Sequence, residues 1–201
     1  MVVQHSQFVS NYAVEGGVFM ATFESTIALH NCTIQSNFAL RGGVALLINE
    51  ASLQMTECTV ISNMAIEASV AYVVDAKQIP VTIQNSTFVS NSMISEQVLH
   101  TEIVRCDTLC FLSEEYRRFV LINLSTMQVF PSEGATFTLI KSEMTISKGT
   151  KIQNSSNFLR SYFSSIVLDQ MTFSGIISSS FILRVVQENL LTIKDTTFAN
   201  C

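Results

Sequence analysis

The sequence predicts an all-β chain wound as a parallel β-helix, and three observations carry that expectation. One pattern is written twice in succession, NCTIQSNFALRGGV at 31–44 and ECTVISNMAIEASV at 57–70. Cys32, Thr33, Ile34, Asn37 and Ala39 thereby recur 26 positions later as Cys58, Thr59, Val60, Asn63 and Ala65. A fixed period of that size is the mark of a solenoid. Apolar residues alternate in short runs, Ile27 and Leu29, Leu53 and Met55, Val81 and Ile83, as strands with one buried face require. The composition, 48% hydrophobic with 13% charged residues, belongs to a chain that folds, and its Phe, Ile, Val and Thr favour strands.

Taken in chain order, the repeat has a fixed grammar. FVSN at 8–11 is followed by GGV at 16–18, IQSN at 34–37 by GGV at 42–44, VISN at 60–63 by ASV at 68–70, and FVSN at 88–91 by EQV at 96–98. The apolar anchors at 8, 34, 60 and 88 stand 26, 26 and 28 apart. We expect three short strands per period, for the second coil roughly 18–22, 26–29 and 32–35. One such unit cannot bury a core alone. Stacked units can, because a strand spacing of about 4.7–4.9 Å sets each side chain over its equivalent one turn away. Phe8, Ile34, Val60 and Phe88 then form an interior column. Asn11, Asn37, Asn63 and Asn91 form a second column at a corner, where a short amide satisfies backbone groups, tolerates left-handed dihedrals and bonds to the Asn above.

From Thr101 to about Phe130 the period is lost, and RCDTLCFLSEEYRR at 105–118 is the most charged stretch of the chain. Leu109, Leu112, Tyr116 and Phe119 have helical spacing behind a cap at Asp107, which predicts an insertion with one short helix. The rhythm then returns more weakly: Met144 and Ile146 lead to Ile152, Leu168 to Phe173, and Ile193 to Phe198. We therefore expect a single β-helix domain over 1–201, of about seven or eight coils, interrupted at 101–130. Neither end shows the polar cap that solenoids need, which suggests a segment of a longer chain. The start, MVVQHSQFVSN, lacks the basic and apolar regions of a signal peptide.

The FxxN tetrapeptide followed by Gly-Gly and a small apolar residue, seen at 8–18 and more loosely at 34–44, resembles the polymorphic outer membrane protein repeat. That resemblance covers about residues 1–98. It implies a right-handed, pectin-lyase-like β-helix and a role at a cell surface, in adhesion. Beyond residue 98 the chain departs from it. The Gly pairs are already replaced at 68–69 and 96–97, and nothing in this segment matches the membrane barrel that anchors the bacterial members.

Charge and motifs exclude several functions. With 11 Lys plus Arg, a net charge of -5 and no basic run beyond Arg117-Arg118, there is no electrostatic footprint for nucleic acid. No apolar run approaches the roughly 18 residues of a membrane-spanning helix. His5, His30 and His100 are scattered away from Cys or acidic ligands, so no metal is expected, and no motif calls for a cofactor. The sharpest catalytic hypothesis is Asp169 with Asp195 on neighbouring coils, as in carbohydrate-active enzymes that use paired carboxylates. Their registers differ by one position relative to Leu168 and Ile193, which favours solvated corner acids instead.

Cys32 and Cys58 share parity with Ile34 and Val60, so both point inward on adjacent coils, as a disulfide or, the reading we prefer, as a ladder of buried thiols. Cys106 and Cys110 either bridge within the insertion or stay free, and an odd total of 5 leaves at least one thiol over, with Cys201 at the end. Glycosylation triplets stand at Asn31, Asn85, Asn123 and Asn154, hardly more than chance gives. The sequence thus leads to a non-catalytic surface or extracellular scaffold or adhesion module, with a polysaccharide lyase or glycoside hydrolase as the alternative. Its partners would be carbohydrate or another surface protein, with end-to-end stacking of coils. Arg105, Glu114, Glu115, Tyr116, Arg117 and Arg118 of the insertion are the candidate contacts, and Tyr12, Tyr72, Tyr116 and Tyr162 candidates for an exposed aromatic patch.

Overall fold

The computed structural model describes residues 1–78, 80–93, 136–155, 157–176, 182–187 and 189–201. Its strands follow the repeat. The first coil contributes β1 (Val2–Gln4), β2 (Gln7–Val9) and β3 (Phe19–Thr22). The second gives β4 (Thr26–His30), β5 (Thr33–Gln35), β6 (Phe38–Arg41) and β7 (Ala45–Ile48), and the third β8 (Ser52–Thr56), β9 (Thr59–Ile61), β10 (Met64–Glu67) and β11 (Ala71–Val74). The fourth holds β12 (Val81–Gln84), β13 (Thr87–Val89), β14 (Ser92–Met93) and β15 (Phe137–Ile140). Next come β16 (Glu143–Ser147), β17 (Lys151–Gln153) and β18 (Leu159–Tyr162), then β19 (Ser165–Asp169), β20 (Thr172–Ser174) and β21 (Leu183–Val186). A further turn is begun by β22 (Leu190–Lys194) and β23 (Thr197–Ala199).

Every pairing is parallel, between a strand and its counterpart one turn away. The first sheet is β1-β4-β8-β12-β16-β19-β22, the second β2-β5-β9-β13-β17-β20-β23, the third β6-β10-β14 and the fourth β3-β7-β11-β15-β18-β21. This is a parallel β-solenoid of about six turns rather than seven or eight. The first and second sheets each hold seven strands but the fourth only six, because β22 and β23 begin a seventh turn that has no strand in the fourth sheet. The insertion expected at 101–130 lies outside the described residues. Among those described there is no helix, and so none long and apolar enough to cross a membrane.

Stacking one period apart builds the interior. Phe8, Ile34, Val60, Phe88, Ile152, Phe173 and Phe198 follow one another in register along the second sheet. All but the two end residues are fully buried. Along the first sheet the alternating pairs stack likewise, Leu29 on Met55, Met55 on Ile83, and Ile83 on Ile146. Inward residues of the fourth sheet close the core. Phe137 meets Phe88 edge-on at 5.6 Å between ring centroids, and Phe158 meets Phe173 at 4.8 Å.

Two local features differ from expectation. Coils two to four carry an additional strand, since residues 38–41 and their equivalents form the short third sheet where we expected only a corner. The left-handed residues before that sheet are Ser10, Ser36, Ser62 and Ser90, each just ahead of the ladder Asn rather than the Asn itself. The doublet glycines turn the chain from the third sheet into the fourth. Gly42 has φ 62, and a Cβ on Gly43 would lie against Ser69 O and 2.6 Å from Met64 O.

The third coil makes the same corner without glycine. Ala68 holds φ 58 and is fully buried, while Ser69 Oγ is buried with no hydrogen-bond partner among the described residues. A left-handed residue with a Cβ costs about 1–2 kcal/mol, against roughly 0.5–1 kcal/mol for the extra freedom of an unfolded glycine. Ala68→Gly should therefore raise stability by about 0.5–1 kcal/mol, read as a higher urea midpoint at constant slope; an unchanged or lower midpoint would show that this corner is unstrained.

Candidate functional site

Arginine and tyrosine gather on one side of the solenoid. All three described arginines, Arg41, Arg160 and Arg184, and all three described tyrosines, Tyr12, Tyr72 and Tyr162, belong to the third and fourth sheets or pair with them. The alternation of the strands puts them there. In β11, Ala71 and Val73 enter the core, so Tyr72 faces out; in β18, Leu159 and Ser161 face in and leave Arg160 and Tyr162 outside. Register then lines up Leu46, Tyr72, Thr138, Arg160 and Arg184 across successive coils. Tyr72 and Tyr162 share this outer face, two coils and two residues apart, a separation of about 12 Å from strand spacing and rise.

At one end of this strip, Glu15, Arg41 and Glu67 stack in register on three coils. Arg41 Nε donates to Glu67 Oε2 at 2.8 Å, its Nη1 lies 3.6 Å from Glu15 Oε1, and the guanidinium stands 5.8 Å from the centre of the Tyr72 ring. Burial opposes the charge on Arg41. The hydrogen bond to Glu67, with the fields of Glu67, Tyr72 and Glu15, outweighs it and raises the guanidinium pKa further. Burial and the charge of Glu67 push the Tyr72 phenol above its usual pKa, so it stays protonated and can donate. In the fifth coil Arg160 Nε donates to Tyr162 Oη at 2.6 Å, with its guanidinium 5.1 Å from the ring centre. The strip thus offers aromatic faces beside fixed guanidinium groups, that of Arg41 already compensated by Glu67 and Glu15, a chemistry for polar ligands.

The interior columns take a different role. Each ladder Asn after the first accepts from the one before it: Asn37 Oδ1 from Asn11, Asn63 Oδ1 from Asn37, and Asn91 Oδ1 from Asn63, through both backbone N–H and Nδ2 at 2.9–3.0 Å. Cys32 and Cys58 are buried and unbridged, their thiols donating to His30 O and Thr56 O at 3.4 Å. Burial raises the pKa of Cys58, which keeps it a thiol and unreactive. Cys201 is exposed and unbridged.

The remaining expected residues do not converge. Asp169 pairs in register with Lys194, while Asp195 turns the following corner at φ 44, so the two carboxylates occupy different positions of the coil. His5 and His30 share the corner between the first and second sheets, with Asn31 Nδ2 3.0 Å from His5 Nδ1 and Glu57 3.8 Å from His30. Among the described residues no group of His, Cys, Asp and Glu is arranged to hold a metal ion. An open depression of about 420 Å³ beside the first coil is lined by residues such as Phe19, Met20, Ser25 and Ile27, none of them charged in the side chain. Arg105, Glu114, Glu115, Tyr116, Arg117 and Arg118, with Cys106 and Cys110, lie outside the described residues.

Tyr72 and Tyr162 were, with Tyr12 and Tyr116, candidates for an exposed aromatic patch, but the arginines beside them were not visible in the sequence as part of a site. Positions 41, 72, 160 and 184 become neighbours only through a register that no local motif records. In comparisons with models of protein families, with curated proteins and with solved structures, nothing matched the chain.

Proposed function

We propose that this β-solenoid is a non-catalytic surface or extracellular module that presents a rigid binding face, with carbohydrate as the ligand class. The observation that carries this reading is the gathering of Tyr72, Arg160, Tyr162 and Arg184 on the fourth sheet, with Arg41 beside Tyr72 at the adjoining end of the third, in a chain whose net charge is -5. Rings beside guanidinium groups suit sugars, whose apolar faces stack on the one and whose hydroxyls hydrogen-bond to the other. The repeats similar to polymorphic outer membrane protein repeats support a right-handed, pectin-lyase-like winding and an adhesive role. Parallel strands at either end of each sheet pair on one side only, which suits stacking against further coils.

The test is retention of the purified chain on immobilised acidic and neutral polysaccharides. Replacing both Tyr72 and Tyr162 by Ala should weaken retention about tenfold, as two ring contacts of about 0.7 kcal/mol each predict, with the urea midpoint held as a control on folding. Equal retention of both forms would remove the strip as the contact face. Slow degradation of a polysaccharide, lost in Asp195→Asn, would point to the enzymatic reading instead.

A further inference from the structure

Two structural kinds stand out among the described asparagines, and the difference follows the sequence around them. Asn37, Asn63 and Asn91 are buried in the amide ladder, and none is followed two residues later by Ser or Thr. Asn31, Asn85 and Asn154, the described asparagines that are so followed, are all exposed. Each is a single left-handed residue between two strands, at φ 50, 48 and 47. Asn31 and Asn85 lie at the same edge, between the first and second sheets, separated by Glu57 and hence by two coil rises, about 10 Å. Asn154 turns the chain out of the second sheet one coil later.

Two of the hydroxyl partners are placed alike, and the third, Ser156, lies outside the described residues. Thr33 and Thr87 open β5 and β13, in register through Thr59, and are half-buried on the outer side of the second sheet, opposite in phase to the buried Ile34 and Phe88. At such corners a bulky group leaves the solenoid without entering a strand pairing or the core. Among the described residues, the hydrogen bond at risk is that from Asn31 Nδ2 to His5 Nδ1, 3.0 Å. It survives, because a substituted amide nitrogen keeps one hydrogen.

We propose that Asn31, Asn85 and Asn154 are N-glycosylation sites, so that glycans project from the corners and leave the arginine and tyrosine strip open. The inference rests on the surface reading, since the transfer takes place on chains that enter a secretory route. The donor is an oligosaccharide linked through diphosphate to a lipid. The amide nitrogen of Asn forms a bond to the anomeric carbon as the bond from that carbon to the phosphate oxygen breaks. The lipid diphosphate leaves with the electron pair, and the proton lost from the amide passes to a base of the transferase.

The experiment is to express the whole chain behind a cleavable leader in a eukaryotic secretory host and to release glycans with an amidase that converts each occupied Asn to Asp. Peptide mass mapping should then find Asp at 31, 85 and 154, and the variants Thr33→Val and Thr87→Val should each lose one glycan while Asn31 and Asn85 remain. Chain recovered from the secretory compartment, released or retained, with the three amides bare would overturn the proposal. Glycosylated chain that fails to bind any polysaccharide would remove the carbohydrate reading and leave this one standing; bare chain that binds would do the reverse.

Discussion

Phe88→Ala is expected to destabilise the solenoid by about 3–5 kcal/mol, the range for truncating a buried phenylalanine where surrounding side chains relax only partly. Phe88 is fully buried, stacked in register between Val60 and Ile152, with its ring edge-on to Phe137. Through Phe137 the contact continues to Phe158 and Phe173 in the coils that follow. The cavity would thus open where the repeats before residue 94 meet those after residue 135. Stability in a stacked repeat is roughly a sum of unit and neighbour terms, so loss at this junction acts on both sides of it. Phe198 is the control: it occupies the same column but is 42% exposed, and Phe198→Ala should cost only about 1–2 kcal/mol. Urea unfolding of both variants makes the comparison. A Phe88→Ala loss near that of Phe198→Ala would mean that the column does not organise the core.

The two halves of the chain show what in this fold can be read from residues. Period, strand phase and the interior column were legible because each depends on spacing alone, and a parallel ladder in strict register repeats spacing faithfully. The tetrapeptide followed by glycines marks a specific local object, the left-handed Ser, the ladder Asn, the third-sheet strand and its tight exit at Gly42 and Gly43. It fades after residue 98, although the weaker rhythm there still predicted coils to the end. The first, second and fourth sheets do continue, and among the described residues only the third sheet stops, at β14. The shorter passage from β17 to β18 needs neither glycine corner nor ladder Asn, so the signature disappears while the winding persists. The strip of Arg41, Tyr72, Arg160 and Arg184 was illegible for the opposite reason. Its members come from coils of unequal length, so no period links them, and only the register across the insertion brings them onto one face.

Asn63→Ala should cost about 3 kcal/mol or more, a large effect for so small a truncation, because the amide is saturated on every side. Its Nδ2 donates to Ile34 O at 3.0 Å and Asn91 Oδ1 at 2.9 Å; its Oδ1 accepts from the backbone N–H of Asn37 at 3.0 Å and from Asn37 Nδ2 at 2.9 Å. Asn37, Asn63 and Asn91 are all fully buried, so water has little access to replace the missing partner. A buried group left unpaired costs about 1–3 kcal/mol. Ala at 63 leaves the backbone N–H of Asn37 without its acceptor and takes one partner each from Ile34 O, Asn37 Nδ2 and Asn91 Oδ1, of which Asn37 Nδ2 keeps Phe8 O and Asn91 Oδ1 keeps the backbone N–H of residue 63. Hydrophobic burial does not compensate, since the removed atoms were polar and the methyl of Ala fills only part of their space. Asn11, exposed at the end of the same ladder, accepts from no further Asn, and Asn11→Ala should cost about 1 kcal/mol or less. The gradient along the ladder, rather than either value alone, is the measurement that matters. If unfolding free energies of the two variants were equal, the amides would be acting as independent corner residues, and cooperation between coils would have to reside in the apolar columns alone.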